Sequence, residues 1–244
     1  MQARIYKYTL TMSYPLTAVS GYWVVKNKFD KEYLQWFNST LRINCPYVFF
    51  GNAESIVLAR RYRGELPTHY IECKIEEFYT YKFRKQMATN QVHCPSVELN
   101  LIWNEKVFLI EKAARLNLYG SKYYAWIDAG ICTYRREMPP LRPFPNLNKL
   151  LSLPLDKFIF TSSDSPIFES NKVGSYYHFV AGTSYIIGVQ GIPLIVEAYK
   201  KYLEIIRLDN IYTDQIILTH MFKDLPDLFL RIGHGYGEIV PLLY

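Results

Sequence analysis

In the stretch Tyr123-Tyr124-Ala125-Trp126-Ile127-Asp128-Ala129-Gly130, one carboxylate closes a run of apolar and aromatic residues. Such an uninterrupted run predicts a strand buried on both faces, as in a parallel sheet. An acid at the carboxyl end of that strand stands where open α/β sheets bind ligands. Ala129 and Gly130 would let a ligand approach the backbone closely. An acid that only caps a turn is the simpler alternative. Upstream, Pro95 to Asn117 has a helical stripe of Leu99, Ile102/Trp103, Leu109/Ile110 and Ala113. Pro95 suits its first turn and Gly120 lies just past its stop. Lys106 falls in register with the stripe. It either snorkels its head to water or points into a cleft to meet a phosphate. Further on, Thr213 is placed to cap a helix through Phe222, with Asp214 in the first turn, where an acid favours the helix dipole.

The elements that must position these residues alternate. Thr17 to Val25 predicts a first strand, Phe29 to Arg42 a helix, and Tyr47 to Gly51 a second buried strand. Asn52 caps a helix through Arg63, with Glu54 in its first turn. Thr68 to Cys73 predicts a strand and Ile75 to Met87 a helix. Strands alternating with helices give βαβ units and a largely parallel sheet. No repeat or linker divides the chain, so residues 1–244 are expected to form one domain. Two stretches break the alternation: Arg135 to Pro145, with prolines at 139, 140, 143 and 145, and Ser162 to Tyr177. Both follow strands and are expected to flank one cleft as binding loops, against the simpler account of surface connections without function.

Composition narrows the class. The chain has 244 residues, half of them hydrophobic, ample for a sizeable α/β core. The cysteines at 45, 73, 94 and 132 show no metal-ligand spacing and read as reduced thiols of a soluble, cytoplasmic protein. No run is long enough to cross a bilayer. The net charge of +6 suits phosphate-bearing partners, whether a nucleotide sugar, an anionic membrane surface or nucleic acid. Without a basic tail or a recognition-module signature, nucleic acid is disfavoured. The 22 tyrosines read mostly as core residues with bonded hydroxyls, and some as platforms for sugar rings.

Four segments carry a resemblance: Ser96 to Lys106, Tyr124 to Ile131, His178 to Tyr185, and Ile211 to Gln215. Together they resemble the bacterial HtrL/YibB (WlaTC-like) family, in the family's order, from Thr17 to about Glu238. Its members are associated with cell-surface polysaccharide gene clusters and are read as glycosyltransferases. The pattern is also similar to nucleotide-sugar transferases of the GT-A fold, a Rossmann-like α/β/α sandwich with a largely parallel central sheet and helices on both faces.

The resemblance implies transfer of a sugar from a nucleoside diphosphate, a UDP-sugar first among the donors, to a glycan or other hydroxyl acceptor. It implies Mn²⁺ or Mg²⁺ on the diphosphate, no nucleic-acid partner, and room for peripheral contact with the inner face of a membrane. Asp128 is then the acid that touches the metal, the donor ribose, or both. Gly130 stands where the family pattern of the fold has a second acid, and glycine cannot ligate. His234, in a late glycine-rich run, is a candidate further ligand, with Glu238 behind it, although an ordinary loop residue is the simpler account. Asp214 and Gln215 become candidate catalytic or sugar-binding residues, Asp214 as a general base if the anomeric configuration inverts. Ala181-Gly182-Thr183 resembles the segment that passes beside the donor sugar, or is a strand with a packing glycine. Arg60 is a candidate for the nucleotide, against a plain solvated helix face. Ser20 and Tyr22 are candidates for the base, and Ala129 and Gly130 line the approach to Asp128. The alternatives are a sugar-phosphate nucleotidyltransferase, whose glycine-rich basic signature is missing from Thr17 to Asn27, and a sugar- or nucleic-acid-binding protein on a degenerate transferase fold.

Overall fold

The computed structural model describes residues 13–26, 32–89, 91, 94–163, 178–206 and 211–244. Seven strands form one sheet: β1 (Leu16–Tyr22), β2 (Tyr47–Gly51), β3 (Thr68–Glu72), β4 (Tyr123–Ile127), β5 (Phe158–Ser162), β6 (Val180–Gly188) and β7 (Phe229–His234). Their order is β3-β2-β1-β4-β6-β5-β7. β1 pairs in parallel with β2 and β4, β2 with β3, and β5 with β7. β6 alone runs against its neighbours β4 and β5. The expected α/β sandwich with a largely parallel sheet is present, with one reversed strand in its middle.

The helices are α1 (Glu32–Thr40), α2 (Ala53–Arg63), α3 (Val97–Leu116), α4 (Leu147–Leu151), α5 (Ile192–Ile206), α6 (Asp214–Asp224) and α7 (Ile239–Leu243). Because side chains alternate along a strand, the sheet feeds two separate cores. Val19, Val48, Phe50, Tyr124 and Trp126 pack with α3, α5 and α6 on one face. Ala18, Tyr47, Phe49, Ala125 and Ile127 pack with α1, α2 and α7 on the other. β1, β2 and β4 are buried throughout, which is why their sequences read as unbroken apolar runs.

Local signals set the helix ends. Asn52 accepts from the Ser55 amide at 3.0 Å and opens α2. Ser96 accepts from the Leu99 amide at 3.2 Å and opens α3, whose C-terminus is closed by Asn117 in a left-handed conformation (φ 42°). The helix expected over Ile75–Met87 is replaced by two short 3-10 turns, Ile75–Glu77 and Tyr79–Phe83. The buried carboxylate of Glu105, on α3, accepts from the amides of Tyr79 and Thr80 and from the Thr80 hydroxyl. Phe78, extended between the turns, is buried with its ring edge-on to Trp23. A tertiary cap and aromatic burial thus override the local helical pattern. The first strand also stops earlier than expected, at Tyr22. The expected start of a helix at Phe29 lies outside the described residues, as do residues 164–177 of the second irregular stretch. Residues 135–146 form neither helix nor strand, as their prolines require.

Candidate active site

Trp126 and Asp128 are two residues apart and so project to the same face of the sheet, the face covered by α3. The Trp126 indole N–H donates to Asp128 Oδ1 at 2.6 Å. From α3, Lys106 Nζ stands 3.1 Å from the same oxygen and 3.1 Å from Asp214 Oδ2 at the start of α6. It also donates to the Gly182 carbonyl at 2.8 Å. The carboxylates differ in access: the Asp128 side chain keeps 19% of its surface exposed, against 3% for Asp214 and 4% for Lys106. Asp128 therefore presents the trio to solvent, and the other two form its floor. Lys106 does not snorkel to water: its head is buried between the two acids, at the floor of the cleft.

Charge follows from this packing. Burial pulls the Lys106 ammonium down, but Asp128 and Asp214 together outweigh it and hold the pKa above its usual value. Burial pushes the Asp214 carboxyl up to about 6, with Lys106 opposing and Asp128 assisting. Asp214 Oδ2 is ion-paired to Lys106 yet receives no aligned hydrogen bond among the described residues.

β6 closes the site from the far side. The Asp128 amide donates to the Thr183 carbonyl at 2.9 Å, and the Gly182 amide donates to Gln215 Oε1 at 3.2 Å. Gly182 is therefore held at its amide by Gln215 and at its carbonyl by Lys106. A Cβ there would fall 2.7 Å from Gln215 Cγ and 2.8 Å from Asp214 Oδ2. Thr213 occupies the N-cap position of α6 without making a side-chain cap, and Asp214 faces Lys106.

These groups line a cleft of about 760 Å³ at the carboxyl ends of β1 and β4, with Tyr22, Tyr33, Trp103, Tyr212 and Tyr236 among its walls. Tyr22, Lys106, Asp128, Gly130, Gly182, Thr183, Asp214 and Gln215, all singled out in the sequence, come together here. Ser20, Ala129, Arg60 and His234 do not. Ser20 is buried, and its hydroxyl donates to the Ile127 carbonyl at 2.7 Å, bracing β4 from β1. Ala129 is buried in the core on the α1 side. Arg60 lies over the Tyr70 ring, 4.1 Å from its centroid, on edge strand β3. His234 ends β7 at the opposite edge, three strand positions from β4 or roughly 14 Å, with its ring beside Ser162 Oγ at 3.2 Å. Sequence reasoning missed Tyr33 and Arg135, which also line the cleft. Arg135 opens the proline-rich stretch expected to border the cleft and belongs to the basic pair Arg135-Arg136, and those were its signals.

A divalent ion on Asp128, implied by the resemblance, finds no further ligand among the described residues. Tyr33 stacks on Tyr22, with centroids 5.7 Å apart, and its hydroxyl accepts from the Gly130 amide at 3.3 Å. A Cβ on Gly130 would stand 2.9 Å from Tyr33 Cε2, so the ring fills the place of a second acid. The Lys106 ammonium already fills the space between Asp128 and Asp214. Among the described residues no cluster of His, Cys, Asp or Glu is gathered to hold a metal. The residues present do not fit the ion.

A mostly parallel α/β sandwich with a polar trio in a cleft at the carboxyl end of a central strand defines a Rossmann-like protein. Residues 58–238 match the family described as bacterial proteins of unknown function (HtrL_YibB), and the chain belongs to that family. It is 23% identical to Protein HtrL of Escherichia coli (strain K12), over 89% of this chain and 85% of that one. Among solved structures it is similar to a glycosyltransferase involved in glycosylation of the major capsid of PBCV-1, with TM-score 0.46, 12% identity, and 89% and 81% of the two chains covered. It is also similar to the apo-form glycosyltransferase GlyE of Streptococcus pneumoniae TIGR4, with TM-score 0.43, 12% identity, and 90% and 45% covered. A third similar structure is the 4-diphosphocytidyl-2C-methyl-D-erythritol synthase of Anaerococcus prevotii DSM 20548, with TM-score 0.41, 11% identity, and 93% and 95% covered. No described helix is long and apolar enough to cross a membrane.

Proposed function

We propose that the protein is a glycosyltransferase that moves a sugar from a nucleoside diphosphate, a UDP-sugar first among the donors to try, to a hydroxyl of a glycan acceptor. The observation that carries this reading is the accessible carboxylate of Asp128. It is fixed by Lys106 and Trp126 at the end of β4 and faces the cleft together with Asp214. The carboxyl ends of parallel strands are where α/β sheets take nucleotide ligands. The cleft volume of about 760 Å³ suits a ligand of that size. The stacked pair Tyr22 and Tyr33 offers a face for a base or a sugar ring.

In a single displacement, the bond from the anomeric carbon to the diphosphate oxygen breaks and its electron pair leaves with the diphosphate. The acceptor oxygen bonds to the anomeric carbon and gives up its proton. Asp214 is assigned that proton, since its carboxyl is raised to about 6 and Oδ2, ion-paired to Lys106, has no aligned donor among the described residues. Asp128 is assigned the donor hydroxyls, because its carboxylate is the accessible one. Gly182 keeps the space beside Asp214 clear of a side chain.

The test is release of nucleoside diphosphate from a panel of nucleotide sugars, with and without glycan acceptors. Asp128→Asn is expected to lower it about a hundredfold, in the range for loss of a group that holds the reacting substrate. A folded Asp128→Asn protein with undiminished release would sink the proposal. Nucleotide-sugar binding with no turnover under any acceptor would leave a binding protein instead.

A further inference from the structure

Among the described residues lining the cleft, Lys106, Arg135 and His178 can carry positive charge. Lys106 is committed: with 4% of its side chain exposed, it serves Asp128, Asp214 and the Gly182 carbonyl, and reaching a ligand would mean leaving one of them. A dication at bonding distance from Asp128 would meet this ammonium at close range, where like charges repel strongly in a poorly hydrated site. Tyr33 shuts out the second acid that could outweigh that repulsion. Arg135 is the remaining lining residue with a fixed charge. Its guanidinium lies over the Trp36 ring, 3.7 Å from the centroid. Trp36 in turn meets the Tyr33 ring edge-on, and the Tyr33 hydroxyl accepts from the Gly130 amide, which places Arg135 on the Gly130 side of the cleft. Stacking holds a guanidinium by its face, and guanidinium binds phosphate oxygens through its edge, in pairs.

We propose that the cleft holds the diphosphate of its donor on Arg135, without a divalent metal, because the Lys106 ammonium occupies the place between Asp128 and Asp214 that a metal would need. This inference rests on the nucleotide-sugar reading above. It assigns Arg135 the neutralisation of the leaving diphosphate and leaves Asp128 free to accept ligand hydroxyls.

The experiment is calorimetric titration of the full chain with UDP, GDP, CDP, ADP and TDP and with the matching nucleosides, once in EDTA and once in Mn²⁺. Wild type, Arg135→Ala and Arg135→Lys are compared, each checked for a cooperative melt. One diphosphate is expected to bind equally well, within about threefold, in both media. Arg135→Ala is expected to weaken it by about tenfold or more, with Arg135→Lys between, while nucleoside binding is unchanged, as loss of a charge-assisted phosphate contact requires. Binding that strengthens about tenfold or more in Mn²⁺ would overturn the metal-free site and leave the nucleotide-sugar reading standing. Equal diphosphate affinity in wild type and Arg135→Ala would overturn the role of Arg135. No binding of any nucleotide in either medium would overturn the donor reading, and this inference with it. The wild-type comparison of EDTA with Mn²⁺ needs no variant, so a misfolded Arg135→Ala does not protect the proposal.

Discussion

Tyr33 lies against Gly130, so that a Cβ added to the glycine would stand 2.9 Å from Cε2 and 3.0 Å from Cζ of the ring. The ring cannot easily retreat, because Tyr22 stacks on it and Trp36 and Phe37 meet it edge-on. Gly130→Asp, which would restore a paired-acid motif, is therefore expected to destabilise the fold by about 1–3 kcal/mol, the usual cost of overpacking. Gly130→Asp combined with Tyr33→Ala is expected to cost less than the two changes summed, since the second removes the clash. Urea unfolding of the four proteins checks this, and a Gly130→Asp protein as stable as wild type would refute the steric account.

How much of this was legible in the sequence depended on the range of the contacts. Asp128 announced itself because its strand is one apolar run, and Lys106 because it sits in the register of the α3 stripe. Its own pattern showed Asp214 only as an acid of a helix start, the resemblance alone made it a catalytic candidate, and its ion pair with Lys106 spans more than a hundred positions. Tyr33 reaches Gly130 across 97 positions, from a helix whose own pattern says nothing about β4. His234 and Arg60 were misplaced for one shared reason: chain order does not reveal that β7 and β3 are the two edges of the sheet. The reversal of β6 was equally hidden, since a buried strand reads the same in either direction. The false helix at 75–87 was local pattern defeated by Glu105.

Removing the cation should expose the cost of the acids around it. Lys106→Met leaves Asp214 buried beside Asp128 without the ammonium they share, and breaking a buried pair from one side typically costs about 3–5 kcal/mol. Lys106→Met with Asp214→Asn should recover much of that loss, because the stranded charge is gone. Denaturant unfolding at pH 7 is the measurement. A loss under about 1 kcal/mol for Lys106→Met would place the trio among weakly coupled, solvated pairs.

Asp214 should give stability and turnover opposite pH dependences. Its carboxyl titrates at about 6 in the folded protein, above its ordinary 3.8. The folded state therefore binds that proton more tightly. The contribution of Asp214 to stability is full below the unfolded pKa and is lost as pH rises through about 6. Relative to Asp214→Asn, wild type should lose stability from about pH 4 to about pH 6 and then level off. Turnover, which needs the ionised carboxylate, should rise with an apparent pKa of about 6. A pH–rate profile flat from about pH 5 to pH 8 would remove Asp214 from the role of base.

The start of α6 is held by α3, and this support is open to test away from the carboxylates. Asn104 Nδ2 donates to the Tyr212 carbonyl at 3.0 Å, and Asn104 Oδ1 accepts from the Tyr199 hydroxyl at 2.8 Å. One turn earlier, Asn100 Nδ2 donates to the carbonyls of Ala88 and Ile211, both at 2.8 Å. The two amides fix the backbone that delivers Asp214 to Lys106. Asn104→Leu fits a similar volume but removes the hydrogen bonds to the buried Tyr199 hydroxyl and the part-buried Tyr212 carbonyl, a loss of about 1–3 kcal/mol. With Tyr212 released, the position of Asp214 loosens while Asp128, braced by Trp126 and Lys106, keeps its place. Asn104→Leu should therefore lower kcat by more than it weakens diphosphate binding, and titration beside steady-state kinetics would separate the two. Equal losses in both would mean that the asparagines support the whole cleft and not Asp214 in particular.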